Sequence, residues 1–145
     1  MYKHILVATD GSELSEAAIR HAVGLAGALG AKITALTVIK PWHTVAAGEL
    51  MIAFPEAEYR KGAEIAARKY VGYAEDVAKE KGVACETKWL EHEHPWEAII
   101  ATAEEKGCDL IVMASHGRKG LSALFLGSET NKVLTHSKLP VLVCR

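Results

Sequence analysis

At 145 residues, half of them apolar and 24% charged, the chain has the size and balance of one globular domain. A formal net charge of -1 gives no pull toward nucleic acid or an anionic membrane. No apolar run approaches the ~20 residues that a membrane span needs. Cys85, Cys108 and Cys144 are scattered, with no C-x-x-C pair, and read as buried thiols in a reducing compartment. The opening stretch Met1–Val7 is too short in apolar residues for a leader, so the cytoplasm is the expected location.

In chain order, the first apolar run is His4–Thr9, ended by Asp10-Gly11. From Ser12 to Leu29, apolar residues at Leu14, Ala18, Ala22, Leu25 and Leu29 recur at helical spacing, and Gly30 stands where a C-cap glycine belongs. A second run, Ile33–Ile39, closes on Lys40-Pro41. A long helical pattern then runs from Pro55 to Lys81 and stops at Gly82. Val83–Leu90 alternates as an edge strand does. Pro95 opens another helix that ends at Gly107, and Asp109–Ala114 is the fourth run. A last helix from Ser128 to Thr135 leads to the fifth run, Pro140–Cys144.

Strands alternating with helices predict one α/β domain over residues 1–145: a doubly wound, five-stranded parallel sheet, order 3-2-1-4-5, with helices on both faces. The fifth strand is apolar yet falls at an edge. An uncovered apolar edge invites pairing, so a homodimer through Val141, Leu142 and Val143 is expected. The connection Lys40–Phe54 is long and apolar. It reads either as a short extra helix on the core or as a functional segment, a lid or a contact surface for a protein partner.

The stretch from Met113 to Thr130 carries the chemistry. It leaves the carboxyl end of a buried strand and arrives at a helix start. Gly117 is suited to a sharp turn at positive φ, and Gly127 to close backbone approach. Ser128 is placed as an N-cap at the positive end of the helix dipole, with Arg118 and Lys119 as mobile positive charge nearby. In the order 3-2-1-4-5 the winding reverses between strands one and four. That brings Thr9-Asp10-Gly11 and Ala114-Ser115-His116-Gly117 to one crevice. Asp10 either starts the following helix or hydrogen-bonds a ligand.

These residues resemble the universal stress protein family over essentially the whole chain. HILVATDGSELSEAAIRHA is similar to its first strand, aspartate turn and helix, and DLIVMASHGRKGLSALFLGSETNKVL to its nucleotide loop. PVLVCR is similar to its last strand. The ATP-binding branch carries G-x-x-G, nine residues, then G-[S/T]; here Gly117, Gly127 and Ser128 match, with Ala114 in the first glycine's place. The resemblance implies an adenine nucleotide alpha hydrolase-like fold that binds ATP, ADP or AMP, with magnesium. It implies Asp10 and Val38 at the adenosine end, and Met113, Ala114 and Gly117 along the ribose and α-phosphate. It further implies Gly127, Ser128 and Glu129 at the outer phosphates, flanked by Thr130, and dimerisation through the last strand. At Ala114, a site needing negative φ accepts alanine; a left-handed one costs about 1 kcal/mol.

The remaining features have plainer explanations. Glu91-His92-Glu93-His94 brings two imidazoles to one side, but no third ligand follows at a zinc spacing, so no metal is expected. Ser115 and His116 are adjacent and poorly placed to act as nucleophile and base, and neither G-x-S-x-G nor a P-loop occurs. No catalytic residue is assigned, and binding without turnover is expected. His21 is read as a packed core histidine, and Trp89 and Trp96 as structural.

Overall fold

The computed structural model describes residues 1–46, 55–118 and 125–145. In chain order the elements are β1 (His4–Ala8), α1 (Glu13–Leu29), β2 (Lys32–Ile39), α2 (Trp42–Val45), α3 (Glu56–Glu80) and β3 (Cys85–Glu91). They continue with α4 (Pro95–Glu105), β4 (Leu110–Ala114), α5 (Ser128–His136) and β5 (Val141–Cys144). The strands form one sheet in the order β3-β2-β1-β4-β5, with every neighbouring pair parallel. This is the topology expected from the alternation of runs.

Strand periodicity divides the core. Ile5, Val7, Ile33, Leu110 and Val112 face one side, where α1 and α3 bury Ile19, Ala22, Val71 and Ala74. Leu6, Leu36, Ile111 and Met113 face the other, against Ile99 and Ala103 of α4 and Val133 of α5. The central strands therefore read as unbroken apolar runs because both of their faces are covered. Edge strand β3 is only half-buried, and edge strand β5 leaves Leu142 exposed.

Helix ends follow local chemistry. Ser12 caps α1 by accepting the Ser15 N–H at 3.2 Å. Gly30, Gly82 and Gly107 all end helical segments at positive φ.

Two expectations need correction. His21 is exposed, because it lies one residue before Ala22 and turns off the buried Ala18–Ala22–Ala26 stripe. Cys85 is half-buried on the edge strand, whereas Cys108 and Cys144 are buried; all three thiols are free. Burial pushes the Cys85 and Cys108 thiols up to about 11. The first part of the Lys40–Phe54 connection forms the short helix α2, and residues 47–54, on which a lid would depend, lie outside the described residues. Among the described residues no helix is long and apolar enough to cross a membrane.

Candidate functional site

Where the winding reverses, β1 and β4 part at their carboxyl ends over a cavity of about 400 Å³. That is within the usual volume range of small-molecule sites. Its floor is apolar: Leu36 and Val38 of β2, Met113 of β4 and Ile99 of α4. Its rim is polar and comes from the turns after β1 and β4 and from the start of α5.

The β1 turn is held internally. Thr9 donates its N–H to the Leu36 carbonyl at 2.9 Å, and its own carbonyl accepts the Thr37 hydroxyl at 2.8 Å. Asp10 Oδ1 accepts the Ser12 N–H at 3.0 Å, and Oδ2 accepts the Arg118 N–H at 3.0 Å. Burial opposes ionisation of Asp10, but the hydrogen bonds from Ser12, Arg118 and Ser15 outweigh it and hold the carboxyl below its ordinary range. Asp10 thus both shapes the entry to α1 and faces the cavity.

The β4 turn is tied to its neighbours. The Ser115 N–H bonds the Cys144 carbonyl at 2.7 Å, and the Gly127 N–H bonds the Ser115 carbonyl at 2.6 Å. Thr130 donates its hydroxyl to the Ala114 carbonyl at 2.8 Å, pinning α5 against the end of β4. The N-terminus of α5 thereby meets the cavity with Ser128, Glu129 and Thr130, and it carries no side-chain cap. The first turn of a helix presents N–H groups that have no partner inside the helix. Together with the dipole they favour an anion.

Of the thirteen residues expected at the site, Thr9, Asp10, Val38, Met113, Ala114, His116, Gly117, Arg118, Gly127, Ser128, Glu129 and Thr130 line the cavity. Ser115 does not; it is buried behind the turn. Its hydroxyl lies 3.2 Å from His116 Nδ1, so the adjacent pair does meet, contrary to expectation. Sequence reasoning passed over Leu36, Ser15, Pro95 and Ile99, and Lys40, the first residue of the Lys40–Phe54 connection, lines the cavity too. Leu36 was within reach of it, since it shares a strand face with Val38. Pro95 and Ile99 come from the opposite helix layer and left no local signal.

Several assigned roles change. Gly117 does not adopt positive φ; a Cβ there would overlap Asp10 Oδ2, so the requirement is closeness to the carboxylate. Gly127, not Ser128, is the N-cap of α5, and a Cβ on it would lie 3.1 Å from His116 Cα. Ala114 has negative φ within β4, and its methyl joins the core beside α1. The alanine therefore carries no left-handed strain.

The Arg118 side chain is bonded to protein groups. Its Nε donates to the Asp10 carbonyl at 2.9 Å, and one Nη donates to the Gly11 carbonyl and to the Tyr70 hydroxyl, each at 3.0 Å. Lys119 lies outside the described residues. At the far end of β3, His92 Nδ1 accepts the His94 N–H at 2.9 Å, which commits one ring nitrogen to the loop. Among the described residues no group of three or more His, Cys, Asp or Glu is arranged to hold a metal. Trp96 stacks on His136 at 4.6 Å between α4 and α5, and the Arg68 guanidinium lies 5.6 Å from the Trp89 ring.

Known proteins share both sequence and fold. The model of the universal stress protein family matches residues 1–145. Universal stress protein YxiE of Bacillus subtilis is 36% identical, over all of both chains. The solved structure of MJ0577, a universal stress protein of Methanocaldococcus jannaschii, superposes with a TM-score of 0.80 at 29% identity, covering 99% of this chain and 96% of that one. A universal stress protein crystallised in complex with cAMP gives a TM-score of 0.69 at 26% identity, covering 98% and 95%. A five-stranded sheet in the order 3-2-1-4-5, the crevice at its switch point and a family match along the whole chain lead to one assignment: the chain belongs to the universal stress protein family.

Proposed function

We propose that this protein binds an adenine nucleotide, ATP in preference, and acts in a stress response through nucleotide-dependent contacts with partner proteins. The observation that carries the reading is a juxtaposition. An apolar slot of Leu36, Val38, Ile99 and Met113 lies beside a helix N-terminus without a side-chain cap. The slot suits a purine, and the start of α5 suits phosphate. The cAMP complex of a related protein supports the same class of ligand.

Magnesium would come with the nucleotide, held mainly by its phosphates. The carboxylates at the rim are engaged by N–H groups: Asp10 by Ser12 and Arg118, and Glu129 by Trp96. With Glu129 occupied in this way, the function proposed is binding and not turnover. We further propose a cytoplasmic homodimer joined along β5, where Val141 and Val143 are half-buried and Leu142 is exposed.

Mass spectrometry of nucleotide released from freshly purified protein, followed by calorimetry with Mg-ATP, tests the reading. Co-purifying adenine nucleotide, or a binding heat that Gly117→Val abolishes, is the expected result. No released nucleotide and no heat at millimolar ATP would overturn it.

A further inference from the structure

The guanidinium of Arg118 is bonded to the turn after β1 and to α3. Its donors reach the carbonyls of Asp10 and Gly11 and the hydroxyl of Tyr70, while its backbone N–H reaches Asp10 Oδ2. Its Cζ lies 5.1 Å from the centroid of the Tyr70 ring. Gly11 completes the stack. It sits at φ 76°, and any Cβ there would overlap the Tyr70 ring. Three distant parts of the chain therefore meet at one point: the turn after β1, the turn after β4 and the middle of α3.

Resting on the nucleotide-binding reading above, we propose that Arg118 is a positioning residue. It is seated on Tyr70 and staples the Asp10 turn to the Gly117 turn, and so sets the crevice for every adenine ligand regardless of phosphate count. A planar fork bonding two successive carbonyls and a phenol fixes direction as well as charge, which a lysine ammonium cannot reproduce. A direct phosphate ligand would turn its fork to the ligand, whereas here Nε and one Nη are spent on the protein.

The test compares adenosine, AMP and Mg-ATP by calorimetry on the wild type, Arg118→Ala, Arg118→Lys and Tyr70→Phe, with circular dichroism confirming the fold. Amide exchange at Ser12 and at position 118 reports the staple without ligand. The staple predicts that Arg118→Ala weakens adenosine and Mg-ATP by the same factor, about tenfold. Arg118→Lys should give no rescue, and Tyr70→Phe, which keeps the ring stack, a smaller loss equal for both ligands. Exchange at the two amides should quicken in all three variants. A loss confined to Mg-ATP, or restoration by lysine, would make Arg118 a phosphate ligand and overturn the proposal. Unchanged affinities, or unchanged exchange, would overturn it as well. If the wild type gives no heat with any of the three probes, the nucleotide reading falls, and the exchange rates alone then decide the staple.

Discussion

Glu129 Oε2 accepts the backbone N–H of Trp96 at 2.8 Å, so a carboxylate at the start of α5 closes the N-terminus of α4. The N-cap position of α4, His94, supplies no side-chain cap of its own. One helix thus carries the cap of its neighbour, and the two helix starts beside the cavity are treated differently: one is filled by protein, the other faces the cavity.

Glu129→Ala should therefore cost about 1 kcal/mol of stability, the usual cost of losing a cap. It should not weaken Mg-ATP, because what α5 offers a phosphate is backbone N–H and the lost carboxylate is a nearby negative charge. Thermal melts and calorimetry on the same sample separate the two effects. A tenfold loss of ATP affinity with an unchanged melt would show the carboxylate acting on the ligand itself.

The two motif glycines should differ in kind. At Gly117 an added methyl would overlap Asp10 Oδ2, so Gly117→Ala must displace either the turn or the carboxylate. Adenine-nucleotide affinity should fall tenfold or more, with a modest change in melting temperature. At Gly127 the methyl would meet backbone, 3.1 Å from His116 Cα and 3.3 Å from the Ser115 carbonyl oxygen. Backbone yields less readily than a side chain, and the short Gly127–Ser115 hydrogen bond lies directly beside it. Gly127→Ala should lower the melting temperature first. Equal effects of the two substitutions on both readouts would contradict this division.

The sheet order was legible because each determinant of it is local: unbroken apolar runs for covered strands, alternation for β3, and glycines at helix ends. The location of the site followed from that order. Its inner wiring was not legible. Tyr70 lies in the middle of α3 with nothing in its own segment to mark it, and its role exists only because α3 crosses beside Gly11. Arg118 next to glycines reads as phosphate chemistry until its partners, 107 and 108 positions away, are known. In sequence Gly117 reads as a conformational requirement, whereas the actual one is spatial. Pairwise contacts across the sheet leave no period in the sequence.

Acid should act on the fold through His4. This histidine is buried, with Nε2 2.7 Å from the Thr34 hydroxyl. Burial first, and then the charge of Lys32, lower its pKa below the ordinary 6.5, against smaller opposing contributions from the Lys106 backbone and from Glu86 and Asp109. The unfolded chain then binds the proton more readily than the folded one, so stability is present above pH 6.5 and declines as pH falls below it. Urea unfolding midpoints at pH 7.5 and 5.5 should show this decline, and His4→Gln, which keeps a partner for Thr34, should flatten it. An identical slope in the variant would place the acid sensitivity elsewhere.

Ala114 gives the last expectation, because it is where the chain departs from the glycine of the ATP-binding motif. Were the alanine a defect, Ala114→Gly would restore affinity. The structure argues otherwise. Ala114 pairs with Cys144 across β4 and β5, is 7% exposed, and lends its methyl to the core beside α1. Glycine there loses that packing and gains backbone freedom in the unfolded chain, a cost of roughly 1 kcal/mol. It gains nothing in return, since the backbone is already at negative φ. Ala114→Gly should therefore melt earlier and bind Mg-ATP no more tightly than the wild type. A variant that binds severalfold more tightly would mean that the methyl obstructs the ligand, and that its absence from the motif glycine serves the phosphate end of the site.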